Sequence, residues 1–251
     1  MSADPLFGYL VALADDALVS AQRTAQWISR APELEEDVAL ANIGLDQLGQ
    51  ARGLLARAGE VEGAGRDEDA LAYFRDEPEF RNVCLVEREQ PDFAVATVRL
   101  LLLAAWQVEL YAALAHSRDE ALAGIAGKAV KEVAYHLDHA RSWTLRLGEG
   151  TSESHRRMVD ALAAEWPWVE ELFDGSFVAP ELVAAGVAVD PAGLREPVLA
   201  RILPVLEQAG LAVPDLRPAR AAGRRGVHTE QMGYLLAEMQ YLARCHPGVS
   251  W

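Results

Sequence analysis

Apolar positions recur along this chain at alternating steps of four and three residues, the period that lines one face of an α-helix. The first run is Leu6, Leu10, Leu13, Ala17, Ser20, Thr24 and Trp27, with Asp4 as N-cap and Pro5 in the first turn. The second is Leu34, Val38, Ala41, Leu45 and Leu48. It follows Pro32 and a crowd of acids, Glu33, Glu35, Glu36 and Asp37, that complement a helix dipole, and it stops near the glycines at 59, 63 and 65. A short helix is expected from Asp67 to Phe74. After Pro91 comes the most apolar stretch, Phe93 to Val98 and Leu100 to Trp106. Arg99, Gln107 and Glu109 interrupt it, which fits a helix buried on most sides better than a membrane span. Ser117 to Glu120 reads as a capping box. It opens a seam of Ala126, Val130, Val133, Leu137, Ala140, Thr144 and Leu147 that Gly148 and Gly150 end. A further helix fits Ser152 to Phe173.

Prolines bound these runs, because a proline is tolerated in the first turn of a helix and not in its middle. Six of the twelve fall between Pro180 and Pro218, so an irregular segment is expected there before a last helix. Four helices of roughly 25 residues in two antiparallel pairs, joined by a longer middle connection, make a four-helix bundle with a crossover. No strand pattern competes, and the fold class is all-α. A single domain over 1–251 is expected, with the core bundle at about 4–150 and a C-terminal helical extension at about 151–251.

Lys and Arg number 23 against 38 Asp and Glu, a net charge of −15. That balance disfavours a nucleic-acid partner, which needs a basic stripe. With 51 % hydrophobic and 24 % charged residues the chain can build a large core and does not resemble a disordered acidic tail. Cys84 and Cys245 cannot make a disulfide framework, and no secretory leader pattern opens the chain, so a reducing cytoplasmic setting is expected.

Long helices of this kind often hold a di-metal carboxylate site, with one Glu from each of two helices and a Glu-x-x-His from each of the other two. Here the first helix offers Asp15 or Asp16. The second sets Asn42, Asp46 and Gly49 in a polar and small-residue seam, with glycine where the histidine belongs. The third offers Glu109. The fourth carries Glu132 and, three residues on, Tyr135 in place of histidine. Glycine and tyrosine are poor replacements for imidazole. His136 and His139 lie just beyond, so a displaced metal site stays open beside the reading in which these residues form a hydrogen-bonded polar face. Asn42 and Asp46 would then satisfy one another or a facing cation, Glu109 would be a solvated or interface residue, and Asp15 or Asp16 an exposed one. Cys84 lies in an apolar setting, and neither thiol has a nucleophile's surroundings. Against the overall charge, Arg217, Arg220, Arg224 and Arg225 cluster before the last helix, where guanidinium forks suit an anionic ligand or an acidic partner, or pair with the chain's own surplus acids.

Three stretches carry a resemblance: Glu33 to Arg52, Lys128 to His136, and Gly226 to Arg244 with Pro247, Gly248 and Trp251. They resemble the C-subunit (PaaC) family of the ring 1,2-phenylacetyl-CoA epoxidase (phenylacetate-CoA oxygenase), over essentially the whole chain. The resemblance implies a ferritin-like subunit that has lost its di-iron site and carries no cofactor or catalytic residue. It would support a related A subunit that keeps the di-iron centre, in a complex that binds phenylacetyl-CoA in aerobic phenylacetate breakdown. B and reductase subunits, the latter with FAD and an iron–sulfur cluster, are further implied partners. Asp16, Asn42, Asp46, Gly49, Glu109, Glu132, Tyr135 and His136 would be vestigial metal-site positions. The alternative is a metal-dependent oxygenase in its own right that uses the displaced histidines.

Overall fold

A computed structural model describes residues 4–249, so Trp251 of the resembling tail lies outside the described residues. Ten α-helices and no β-strand occur among them, and the chain is all-α. Its contacts divide it into two compact units, residues 1–89 with 221–251 and residues 90–220.

In the first unit α1 (Pro5–Ala25) and α2 (Leu34–Glu62) pack along one another. The Asp4 carboxylate caps α1 by accepting from the Leu6 N–H, and Pro5 occupies the first turn. Glu33 is the N-cap of α2, and Gly63 at φ 66° ends that helix in the left-handed conformation that glycine adopts at no steric cost. The short α3 (Glu68–Tyr73) and α4 (Cys84–Glu87) lie on the connection that follows. The chain returns to this unit for α10 (Glu230–Cys245), which packs on α3 and α4. α1 is buried almost all round from Tyr9 to Thr24.

α2 corrects the sequence reading. Leu34, Val38 and Leu45 are 75 %, 55 % and 63 % exposed, and the buried stripe is instead Leu40, Ile43, Gln47, Gln50, Leu54 and Leu55. The reason lies in α1, which meets the stripe whose polar members, Gln47 and Gln50, disguise it in the sequence.

The second unit holds the α5 (Phe93–Leu114) and α6 (Glu120–Gly148) pair, with α7 (Ser152–Glu165) and α9 (Arg195–Gln208) packed against both. α5 is long and apolar enough to cross a membrane, but 89 % of its most apolar window is buried inside the protein. Its buried charge, Arg99, is matched by Glu165 of α7 at 2.9 Å with both side chains buried. Phe93 packs edge-on against Trp143 of α6, ring centroids 5.0 Å apart. Asp119, not Ser117, caps α6 by accepting from the Leu122 N–H, and Ser117 Oγ donates to the Val187 carbonyl. The expected helix over Ser152 to Phe173 divides into α7 and a 3-10 segment at Trp166–Phe173, where Pro167 removes a backbone donor.

The proline-rich stretch is more regular than expected. Beyond the short α8 (Pro180–Ala184), α9 runs 14 residues with Pro204 inside it. Burial of Val198, Ile202, Val205 and Leu206 offsets the lost backbone hydrogen bond.

Candidate functional site

The acids that a di-metal site would draw on each have other surroundings. On α1 both aspartates are buried, which removes the alternative in which they are exposed. Asp15 pairs with the Arg75 guanidinium and accepts the Arg81 N–H at 2.8 Å. One oxygen of Asp16 accepts the Val83 N–H at 2.8 Å and the other accepts Arg224 Nη2 at 2.7 Å. Burial pushes the Asp16 carboxyl up to about 6, against the Arg224 charge and the Val83 N–H, which pull it down.

On α2 Asn42 and Gly49 are exposed and Asp46 is half-buried, so the seam expected to point inward does not. A Cβ built on Gly49 meets nothing within 4 Å. In the second unit Glu109 is half-buried and pairs with Arg201 of α9. Glu132 is held by Lys128, one turn before it, at 3.3 Å. Tyr135 is 52 % exposed, whereas His136 is fully buried on α6 and His139 is half-buried.

A di-iron carboxylate centre needs bridging carboxylates and imidazoles converging on one place. Asp16 is committed to a guanidinium and Glu109 and Glu132 to cations, and glycine and tyrosine stand where the histidines belong. Among the described residues no three His, Cys, Asp or Glu side chains come together as a metal would require. The residues present do not fit a di-iron centre within this chain.

The arginine cluster is divided. Arg224 is buried, and besides Asp16 it donates to the carbonyls of Ala12 at 3.1 Å and Arg81 at 3.0 Å. Pairing with the chain's own acids therefore describes Arg224, while Arg217, Arg220 and Arg225 are exposed.

The polar centre that the sequence reading missed surrounds Glu87. Its carboxylate is fully buried and accepts from Asn82 at 2.8 Å, from the Thr229 N–H, and pairs with His228 Nδ1 at 2.7 Å. Its carbonyl accepts Arg23 Nη2 at 2.6 Å, and His228 Nε2 lies 3.1 Å from the Phe80 carbonyl. Burial alone would lower the His228 imidazole, but the Glu87 carboxylate and the Phe80 carbonyl outweigh it and hold the value above the ordinary one. A glutamate directly after the apolar run Val83-Cys84-Leu85-Val86 was the available signal. Together with Asp15 and Asp16, Glu87 ties residues 75–89 and 221–229 to α1. These contacts are ion pairs and hydrogen bonds between segments of the fold, so what the network does is hold those segments together.

A family model described as "Phenylacetic acid catabolic protein", PaaA_PaaC, matches residues 1–251. The C subunit of the 1,2-phenylacetyl-CoA epoxidase of Escherichia coli (strain K12) is 46 % identical to this chain over 246 residues, which are 98 % of this chain and 99 % of that protein.

Proposed function

This chain belongs to the phenylacetic acid catabolic protein family, and from that premise we propose that it serves as the C subunit of a ring 1,2-phenylacetyl-CoA epoxidase, a structural subunit without a catalytic centre of its own. The observation that carries the reading is the end-to-end match to the C subunit of such an enzyme, with no part of either chain longer than a few residues left over. The partner is a related A subunit that bears the di-iron centre, in a heterodimer or a larger A/C assembly. B and reductase subunits complete the complex, and FAD and an iron–sulfur cluster in the reductase deliver electrons. The bundle of this chain is of ferritin-like type, and its setting is the cytoplasm, which suits two cysteines that form no disulfide.

The non-catalytic role is supported by how the ligand-like acids are used. A carboxylate held by a buried guanidinium, as Asp16 is by Arg224, is already neutralised and hydrogen-bonded. It cannot accept a dication without expelling that arginine. His136 is the one observation on the side of a metal oxygenase, since a fully buried histidine is a ligand-type side chain in a protected place.

Metal analysis separates the two readings. The chain is purified, offered ferrous iron without oxygen, and freed of excess. No stoichiometric iron is expected, and the same chain should co-elute with the A subunit when the two are expressed together. One to two tightly held irons per chain would overturn the scaffold role in favour of the oxygenase built on the displaced histidines.

A further inference from the structure

α10 is held at its two ends by different chemistry. Near the C-terminal end the Gln240 amide donates to the carbonyls of Ala72 and Arg75 at 3.1 and 3.0 Å, and Arg244 donates to those of Tyr73 and Arg75 at 2.9 and 2.8 Å. Neither donor titrates near neutral pH, since an amide has no charge to lose and a guanidinium keeps its own. At the N-terminal end the Thr229 side chain makes no cap, and the Thr229 N–H is taken instead by the carboxylate of Glu87, the last residue of α4. A negative charge is favoured there by the helix dipole.

His228, one residue earlier, sits between two acceptors. Glu87 Oε2 lies 2.7 Å from Nδ1, and the Phe80 carbonyl lies 3.1 Å from Nε2. A neutral imidazole carries one N–H, so it satisfies one of the two and turns a lone pair on the other. Only the doubly protonated ring donates to both. The proton belongs on the ring and not on Glu87, because the Asn82 amide and the Thr229 N–H also donate to that carboxylate and favour its ionised form. Both side chains are 0 % exposed, so water is not at hand to replace a lost contact.

The remaining charges around the ring leave this pairing in control. Glu77, in the 3-10 turn Glu77–Glu79, favours the imidazolium, and Glu79 of the same turn accepts the Asp76 N–H. From α1, Arg23 donates to the Glu87 main-chain carbonyl at 2.9 and 2.6 Å, and Asp16 is matched by Arg224. On α3, Glu68 pairs with Arg52, and Asp69 lies beside Leu242 and His246 at the far end of α10.

We propose that Glu87 and His228 form a proton-dependent latch on the first turn of α10, closed while the imidazole carries both ring protons and open once one is lost. The turn it releases contains Met232, which is fully buried. Opening is confined to the start of the helix, because Gln240 and Arg244 keep their contacts over the same range. The latch lies within the first unit and does not depend on which complex the chain joins.

The full chain, alone, serves for the test. At pH 6.5, where an ordinary histidine is half protonated, nitrogen NMR should show both ring nitrogens of His228 protonated. The Thr229 amide reports the latch by hydrogen exchange, corrected for the intrinsic effect of pH. The folded imidazole is held above 6.5, so the latch is fully closed below 6.5 and is lost as pH rises through the folded value. Protection of the Thr229 amide should fall about tenfold per pH unit over that interval and level off above it. The amides of Leu242 to Cys245, in the last turn, should stay within about twofold. Glu87→Gln removes the charge and leaves burial to lower the His228 value, so Thr229 should be weakly protected at every pH above 6.5. A bare ring nitrogen at pH 6.5, or Thr229 protection that does not change with pH, overturns the latch. So does a parallel loss at both ends of α10, which would make the opening global. The ring titration and exchange profile of the unsubstituted chain decide between these outcomes even where Glu87→Gln does not fold.

Discussion

α1 and α2 pack along each other, yet α1 buries Asp15, Asp16 and Arg23 while α2 leaves Leu34, Val38 and Leu45 in solvent. Both depart from the ordinary arrangement of apolar inside and charged outside, in opposite directions and with different consequences. A buried charge is tolerable only when a specific partner reaches it, so each one on α1 fixes a distant segment in place. Arg75 arrives from 60 residues away and Arg224 from 208. An exposed leucine asks nothing of the isolated fold and offers surface to something else. The difference separates residues that hold this chain together from residues available for association.

The sharpest way to break that distinction is to remove one buried partner. Arg224→Ala leaves the Asp16 carboxylate buried with only the Val83 N–H, and losing one member of a buried pair costs about 3–5 kcal/mol. Urea unfolding at pH 7 should show a loss of that size. The double variant Asp16→Asn with Arg224→Met should recover much of it, because no charge is then left behind. A single variant within about 1 kcal/mol of the parent would mean that the pair contributes no more than a surface contact.

A smaller effect comes from titration. The folded His228 imidazole is held above 6.5, so its pairing with Glu87 stabilises fully below 6.5 and is lost as pH rises through the folded value. Asp16 acts in the same direction at lower pH. With its carboxyl raised from 3.8 to about 6, the folded chain holds a proton that the unfolded chain releases, and this contribution falls as pH climbs from 3.8 to 6. His228→Gln keeps hydrogen-bonding capacity and cannot titrate. The stability advantage of the parent over this variant should therefore be larger at pH 6 than at pH 9, read as the difference in urea midpoints. A difference independent of pH would remove His228 from the account.

The two helices were not equally legible in the sequence. Local chemistry marked helix boundaries: Asp4 and Pro5 at the start of α1, and Gly63 at the end of α2. Which face of α2 is buried was not marked. Its clean apolar repeat points out, and its inward stripe contains Gln47 and Gln50. The two aspartates on α1 were visible between apolar runs, but their partners sit far along the chain and only tertiary folding brings them near. Glycine and tyrosine at the histidine positions could be read directly, since an absent ligand is a matter of residue type. That Asp16 is held by Arg224 needed the fold, as did the division of the arginine cluster into one buried member and three exposed ones.

The least expected effect on the isolated chain belongs to Gly49→Ala, and its sign is what matters. Gly49 lies in the middle of α2 with helical backbone, and its added Cβ would touch nothing within 4 Å. Alanine in place of glycine inside a helix then gains about 0.5–1 kcal/mol, because less backbone freedom is lost on folding. The isolated variant should unfold at a slightly higher urea concentration than the parent. Stabilisation of that size would show that nothing within the fold approaches Gly49 closely. Destabilisation of the isolated chain would show that this face of α2 is already covered from within, and the contrast with α1 would fail at its simplest point.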